Sequence, residues 1–163
     1  MDTLARIERT LHDALNAHGA ADAPPRLAAA VRHSVFPGGA RTRPLLCLAV
    51  AAACGDPDPL LSESAAAAIE LMHCGSLVHD DLPCFDDAPT RRGQPSVHAA
   101  FGERGAVLAG DALIVIAFEV LARGAIHNPA RLPAMVQVLC LRVGMPVGII
   151  AGQAWESEDW VAL

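Results

Sequence analysis

The segment AAAAIELMHCGSLVHDDLPCFDD, residues 65–87, joins a run of small and apolar residues directly to a cluster of carboxylates. Its alanine run, followed by Leu71 and Val78, predicts a long and nearly buried helix over about 60–82. Pro83 ends or kinks that helix, because proline cannot continue the backbone hydrogen-bond pattern. The segment therefore predicts a core helix whose C-terminal end carries acidic residues.

Apolar residues at helical spacing continue on both sides of this segment, and proline or glycine residues separate the helices. Aromatic residues make up only 4 % of the chain and tyrosine is absent, so packed helices are favoured over sheets. Residues 83–95 hold three prolines, one glycine and several charges, which indicates a loop at the mouth of a site. We predict an all-α fold in one domain over 1–163, with helices over about 4–18, 26–36, 44–54, 60–82, 103–123, 129–141 and 147–154.

Net charge and length limit the classes of function. The 163 residues include 12 Lys and Arg against 18 Asp and Glu, which gives a formal charge of −6, and 53 % of the residues are hydrophobic. Such a chain has enough apolar residues for a packed core, so disorder is excluded as the default. An acidic chain is a poor partner for nucleic acid, so none is expected and any phosphate-binding site must be local.

Neither a transmembrane segment nor a secretion signal is expected. The longest uncharged stretches, Val143–Trp155 and Pro44–Gly55, are shorter than the roughly 18–20 apolar residues that cross a bilayer. The charged residues within Met1–Arg9 do not fit a secretory signal, so we expect a cytoplasmic protein. The five cysteines form no Cys-x-x-Cys pair, so we expect small buried hydrophobes rather than disulfides or zinc ligands.

The acidic cluster is the first candidate site. Four aspartates fall within the eight residues 80–87, and Arg91 and Arg92 follow shortly. Carboxylates this close repel each other unless a cation bridges them, and Mg²⁺ takes one or two protein carboxylates together with substrate phosphate oxygens. The two arginines are suited to phosphate. The pattern favours a site for Mg²⁺ and a diphosphate; a solvated acidic loop and a calcium site are alternatives, although the EF-hand pattern is missing.

A second candidate site precedes the acidic cluster. His73 lies seven residues before Asp80, about two turns of helix, so the two side chains share one face. The glycine turn at 38–39 delivers Arg41 and Arg43 to a helix start, whose free amides also favour anions. Each signal is weak alone, because a lone helical histidine is more often an ordinary core or surface residue.

Taken in order, these motifs resemble the trans-type isoprenyl diphosphate synthases, and most closely the bacterial geranylgeranyl diphosphate synthases of carotenoid pathways. The motifs are Gly-Gly with Arg-x-Arg-Pro at 38–44, His73, His-Asp-Asp-Leu-Pro-x-x-Asp-Asp at 79–87, Arg-Arg-Gly at 91–93 and Gly-Asp-Ala-Leu at 110–113. The resemblance runs from about Val35 to Glu156. It implies an all-α bundle around a deep central cavity, essential Mg²⁺, and a homodimer.

The resemblance also implies roles on the allylic side of the reaction. Asp80 and Asp86, supported by Asp81, would bind the Mg²⁺ of the allylic diphosphate, and Arg91 would hold that diphosphate. When the allylic C–O bond ionises, the departing diphosphate gains negative charge that Mg²⁺ and arginine stabilise.

For the second substrate, the resemblance implies that Arg43, His73 and Arg92 hold the diphosphate of isopentenyl diphosphate. Its double bond attacks the allylic cation, a proton is lost, and the chain grows by one isoprene unit. Gln153 matches a family glutamine that faces the reacting carbons; an ordinary polar helix residue is the alternative.

Product length follows, by the same resemblance, from the position five residues before Asp80. A bulky aromatic residue there stops growth at farnesyl diphosphate, whereas this chain has Gly75 followed by Ser76. The resemblance therefore points to geranylgeranyl diphosphate or a longer product. The alternative is that Gly75 only permits close helix packing.

Two departures from the family pattern bear on activity. The family lysine before Arg41 is Ala40 here, which removes one cation unless Arg41 or another basic residue substitutes. Family members are also considerably longer, and their second aspartate-rich motif is absent from this sequence. We therefore expect either the N-terminal part of a prenyltransferase or a truncated, non-catalytic member that modulates a full-length synthase.

Overall fold

The computed structural model describes residues 2–19 and 23–158 and is predominantly helical. It confirms the all-α prediction, because the only strands among the described residues are two of two residues each. The helices are α1 (Thr3–His18), α2 (Pro25–Val35), α3 (Thr42–Ala53), α4 (Pro59–Asp80), α5 (Val97–Phe101), α6 (Glu103–Gly124), α7 (Leu132–Val143) and α8 (Ile149–Glu156). The strands β1 (Thr90–Arg91) and β2 (Gln94–Pro95) pair antiparallel.

The N-terminal ends of α1 and α4 lie close to their predicted positions because the sequence places capping residues there. Asp2 caps α1 by accepting a hydrogen bond from the backbone N–H of Leu4 at 3.3 Å. Asp58 caps α4 by accepting from the N–H of Leu61 at 3.2 Å, and Pro59 occupies the first helical position. Both arrangements satisfy amide groups that a helix start leaves without partners.

The core of the first part of the chain is built on close packing of α4 against α6. Small residues make the contact, among them the buried Gly75 of α4 and the buried Ala109 and Gly110 of α6. A Cβ atom at Gly75 would lie 3.3 Å from the carbonyl oxygen of Gly110 and 3.4 Å from the Cβ of Leu113. The two backbones therefore approach closely, and fully buried side chains such as Leu71 pack beside the contact.

Residues 83–95, predicted as a loop, end in a hairpin. Arg92 and Gly93 have positive φ angles of 53° and 78°, which the tight turn between β1 and β2 requires. Helix α5 follows, and Gly102, with φ of 82°, separates it from α6. The hairpin and α5 are not predicted from the sequence, because elements of two to five residues are too short to show periodicity.

The structure divides into two compact units, residues 1–127 and 128–163, and each is described by itself. The prediction of one domain over 1–163 stays a prediction. In the second unit Pro129–Arg131 is a 3-10 turn, so α7 starts at Leu132 and not at 129 as predicted. Pro133 is the physical reason, because it has no N–H to donate to the carbonyl of Pro129 in an α-helical ladder.

Helix α6 with the turn after it, Glu103–His127, is long and apolar enough to cross a membrane by length and composition. It is not among the longest uncharged stretches of the sequence, because Asp111 and Glu119 interrupt its apolar run. In the structure the helix packs against α4, and 44 % of its apolar window is buried.

Cysteine burial differs from the prediction. Cys74 is buried and Cys47 is half-buried, but Cys54, Cys84 and Cys140 are exposed, so the prediction of buried cysteines is wrong for these three. Cys54 and Cys84 lie just beyond the ends of α3 and α4, where the chain turns at the surface. All five are free thiols.

Candidate active site

The acidic cluster of residues 80–87, which we call the acidic loop, begins where α4 ends. Asp80 is the last residue of the helix, and the N–H of Asp86 donates to its carbonyl oxygen at 2.9 Å. A second bond joins the N–H of Ala88 to the carbonyl oxygen of Asp81 at 3.2 Å. The loop therefore turns back on the helix end and brings the backbones of Asp80 and Asp86 together, with Asp80 half-buried and Asp86 exposed.

Asp81 is engaged by an arginine. Its side chain is 2 % exposed and accepts hydrogen bonds from Arg91 Nε at 3.0 and 3.1 Å, with a further bond from Arg91 Nη2. These bonds are the largest cause of the raised pKa of Arg91, to which the charges of Asp80 and Asp86 also contribute. Both oxygens of Asp81 are thus directed at Arg91, whereas its neighbour Asp80 begins the acidic loop.

For a metal ion, the acidic loop supplies two candidate ligands. Among residues 2–19 and 23–158, no three His, Cys, Asp or Glu side chains are arranged to hold a metal. Mg²⁺ does not need such a set, because it binds through one or two carboxylates plus water and substrate phosphate oxygens. The carboxylates of Asp80 and Asp86 fit that requirement, and Asp81 fits it less well because Arg91 occupies it.

The start of α3 brings Arg43 to the middle of α4. Its Nη1 lies 3.2 Å from Nε2 of His73. Burial and the positive charge of Arg43 lower the pKa of His73 below its ordinary value of 6.5, although the charge of Glu70 opposes the shift. The imidazole is therefore neutral at pH 7, and its Nε2 accepts the hydrogen bond from Arg43.

Arg92 completes this group of basic side chains. It lies against Gly39, where a Cβ atom would be only 3.1 Å from its Nε. Its charge opposes the rise that burial causes in the pKa of the Cys74 thiol and contributes to the lowered pKa of His73. The structure thus brings together Arg43, His73 and Arg92, the three residues that the sequence analysis assigns to one diphosphate; we call them the basic cluster.

Arg41 does not join the basic cluster, so the expectation that the glycine turn presents both Arg41 and Arg43 to an anion is wrong for Arg41. Its side chain is 0 % exposed and pairs with Glu8 and Glu70. Its backbone takes a left-handed conformation, with φ of 50°, and it directs the guanidinium over Gly38, where a Cβ atom would overlap it. Arg41 is therefore no substitute for the family lysine that Ala40 replaces.

The two residues assigned to product length have different surroundings. Gly75 faces α6, as its contact with Gly110 shows, so the packing alternative has direct support from the contacts. Ser76 is half-buried, and its hydroxyl donates to the carbonyl oxygen of His73 at 3.0 Å. The product-length role of both residues stays a prediction.

Gln153 lies in the second unit, on α8. Its Nε2 donates to Glu156 Oε2 at 3.5 Å, a long hydrogen bond between partly exposed side chains of the same helix. Its predicted role at the reacting carbons stays a prediction.

A sequence comparison then identifies the family. The profile of the polyprenyl synthetase family matches residues 24–161. The chain belongs to this family. Two curated relatives of this chain are geranylgeranyl diphosphate synthases, from Cereibacter sphaeroides at 56 % identity and from Rhodobacter capsulatus at 53 %, each over 97 % of this chain. The chain spans 55 % of the length of either relative.

Solved structures agree on the fold. A geranyltransferase from Legionella pneumophila superposes with a TM-score of 0.86 at 37 % identity, covering 96 % of this chain and 54 % of that one. A geranyltranstransferase from Thermotoga maritima superposes with a TM-score of 0.78 at 30 % identity, covering 96 % of this chain and 56 % of that one. The fold of this chain is therefore similar to that of these two transferases over the part that they share.

Two residues near the site, Glu70 and His79, have no role predicted from the sequence. Glu70 is 2 % exposed inside an apolar helix, and a lone carboxylate in such a run is a signal that a buried cation must lie nearby. His79 lies over Gly110, with its Nε2 at 3.3 Å from the carbonyl oxygen of Val107, and links the last turn of α4 to α6. Such contacts across helices cannot be inferred from the periodicity of one helix.

Proposed function

We propose that this chain carries the diphosphate-binding and metal-binding part of a prenyltransferase that condenses isopentenyl diphosphate with an allylic diphosphate. The observation that carries the proposal is the convergence of Arg43, His73 and Arg92 from three separate segments of the chain. Two arginines around a neutral histidine leave positive charge that a phosphate-bearing ligand would neutralise. The names of the relatives favour geranylgeranyl diphosphate as the product.

The acidic loop is the proposed site of the allylic diphosphate. Asp80 and Asp86 would hold Mg²⁺, which, when bound, neutralises charge on the leaving diphosphate. Arg91 would donate to the same diphosphate through Nη1, because Asp81 engages Nε and Nη2. Asp81 therefore acts mainly by holding Arg91 in place, and this refines its predicted role as a supporting metal ligand.

The basic cluster is the proposed site of isopentenyl diphosphate. Arg43 and Arg92 would donate to its phosphate oxygens. His73 has two ring nitrogens, and a bound diphosphate would draw a proton onto the imidazole so that both donate. Holding this diphosphate leaves the isopentenyl double bond to attack the allylic carbon after the C–O bond has broken, and a proton is then lost from the new carbocation.

Further assignments on residues, location and partners complete the proposal. Gln153 would face the reacting carbons, and Gly75 and Ser76 would leave depth for a product beyond farnesyl diphosphate. The enzyme would be a cytoplasmic homodimer, or would pair with a full-length homologue, and would serve carotenoid or related isoprenoid synthesis.

A chimeric enzyme tests the proposal. The chain would replace the matching segment of the Cereibacter sphaeroides relative, which is 56 % identical, and the chimera would be incubated with labelled isopentenyl diphosphate, farnesyl diphosphate and Mg²⁺. We expect geranylgeranyl diphosphate by chromatography, and a loss of activity of at least about a hundredfold when Asp80 and Asp86 are both changed to Asn.

Asp87→Asn is the matched control, because Asp87 lies in the same exposed loop and has no assigned role. A folded chimera without activity would contradict the proposal. The isolated chain is assayed in parallel: turnover would show that this part suffices, whereas its absence beside an active chimera would favour a fragment or a non-catalytic partner.

A further inference from the structure

Arg41 lies at the centre of a buried network that the proposed reaction does not use. Its Nη1 donates to Glu70 at 2.8 Å, its Nε donates to Glu8 at 2.8 Å, and its Nη2 donates to the carbonyl oxygen of Val35 at 2.9 Å. The guanidinium also lies 5.6 Å from the ring centroid of Phe36. The three guanidinium nitrogens therefore donate to three different helices, α4, α1 and the end of α2.

Because the network is buried, its charged groups must be accurately placed relative to one another. The side chains of Arg41 and Glu70 are 0 % and 2 % exposed, while that of Glu8 is 34 % exposed. Charges removed from water are tolerated only when their partners are well placed, so small displacements of either helix are strongly resisted. The network thus fixes α1, the turn before α3, and α4 relative to one another.

The same three segments determine where the basic cluster forms. Arg41 immediately precedes α3, and Arg43 follows in its first turn. Glu70 lies three residues before His73, about one helical turn, on the face of α4 that meets α3. The Arg41–Glu70 pair therefore joins the start of α3 to α4 one turn away from the contact between Arg43 and His73.

We infer that Arg41 and Glu70 are positioning residues that set Arg43 and His73 at the spacing required by the diphosphate of isopentenyl diphosphate. The inference rests on the proposed function of the basic cluster. Neither residue touches the ligand in this scheme; both act through the backbone segments that carry Arg43 and His73.

The direction in which Glu70→Gln changes the affinity for the diphosphate distinguishes a positioning role of Glu70 from an effect of its charge. Glu70 is an anion near the basic cluster, since its charge raises the pKa of His73 against the other influences. If charge alone mattered, Glu70→Gln would make the cluster more positive and strengthen diphosphate binding. If Glu70 acts by positioning, the same substitution weakens binding despite the more favourable charge.

Titration calorimetry of the whole chain with isopentenyl diphosphate tests this. We expect Glu70→Gln to weaken binding roughly tenfold, because misplaced contacts lose affinity steeply. Glu63→Gln is the matched control: Glu63 lies on the same helix and also pairs with α1, through Arg6 at 2.8 Å, but two turns from Glu70. We expect the control to bind within about twofold of the original chain.

A second titration, with farnesyl diphosphate and Mg²⁺, distinguishes a local effect on the basic cluster from general destabilisation. General destabilisation would weaken the binding of both ligands. Its proposed ligands are on the acidic loop, so Glu70→Gln should leave this affinity unchanged. If Glu70→Gln does not fold, Arg41→Lys replaces it, because lysine keeps the positive charge but cannot bond Glu70, Glu8 and the carbonyl of Val35 at the same time.

The outcomes separate the two ideas. Failure of the original chain to bind isopentenyl diphosphate overturns the proposed function and this inference with it. Binding by the original chain that Glu70→Gln leaves unchanged or strengthens, or that both substitutions weaken equally, overturns the inference alone. For Arg41→Lys, a several-fold loss of affinity for isopentenyl diphosphate alone supports the inference, and an unchanged affinity overturns it.

Discussion

Helix α4 has two faces that are buried by different means. One face carries Glu70 and His73, which meet Arg41 and Arg43 from the turn and helix before it. The other face carries Gly75, which packs against α6 with only backbone and aliphatic atoms nearby. The first face is held by directed contacts between charged and polar groups, and the second by close approach of small residues.

The difference shows how one helix serves both stability and the site. An apolar contact tolerates many side chains provided that the volume is kept, so it fixes the distance between helices without selecting a particular partner. A buried charge tolerates only a partner with the right donor at the right place. The polar face can therefore hold basic side chains in the fixed arrangement that a diphosphate requires.

We expect the largest loss of stability from a substitution on the polar face of α4. Arg41→Met leaves Glu70 buried without its cation, and we expect the free energy of unfolding to fall by about 3–5 kcal/mol. The measurement is urea unfolding followed by circular dichroism.

Arg6→Met is the matched control for that substitution. Arg6 also pairs with a glutamate of α4, but its side chain is 25 % exposed, so we expect a loss of at most about 1 kcal/mol. Equal losses for Arg6→Met and Arg41→Met would mean that burial of the Arg41 network adds nothing to its strength.

A smaller effect concerns the apolar face. Gly75→Tyr would drive a ring into α6 at Gly110 and Leu113, and we expect a loss of about 1–3 kcal/mol in the free energy of unfolding. Ser76→Tyr, at a half-buried neighbouring position, should cost less.

Product chromatography of the chimera carrying the same substitutions sharpens the comparison. A shorter product from Gly75→Tyr with unchanged stability would mean that Gly75 borders space for the growing chain. Lower stability with an unchanged product would assign Gly75 to helix packing alone.

Sequence alone predicted the helices well because their ends carry clear signals. The caps at Asp2 and Asp58 and the break at Pro83 are local, and α1 and α4 end within a few residues of the predicted positions. The shared face of His73 and Asp80 also follows from helical geometry. What periodicity does not contain is the partner across a contact, and the pairing of Arg41 with Glu70 was missed for that reason.

The site shows the same limit at neighbouring positions. Asp80 and Asp81 are adjacent residues of the same type. Asp80 begins the acidic loop, whereas Asp81 is 2 % exposed and pairs with Arg91. Arg41 and Arg43 are also of one residue type, but the positive φ of Arg41 directs its side chain inward. For the two arginines, the backbone conformation of a single residue decides the role, and the residue type does not reveal it.

The smallest expected effect is a dependence of stability on pH at His73. Its pKa in the folded chain lies below the ordinary value of 6.5, so the unfolded chain binds the proton more readily. The free energy of unfolding should therefore fall as pH decreases from about 6.5 through the lower pKa of the folded state, and His73→Gln should remove this part of the profile.

A titration of the His73 ring protons by nuclear magnetic resonance isolates this group from the other histidines. Because the charge of Glu70 raises the pKa of His73, Glu70→Gln should lower that pKa further, whereas the Glu63→Gln control should leave it unchanged. A pKa of His73 at or above 6.5 in the original chain would contradict the prediction. It would mean that nearby carboxylates outweigh burial and Arg43, so that the imidazole is already charged before a diphosphate binds.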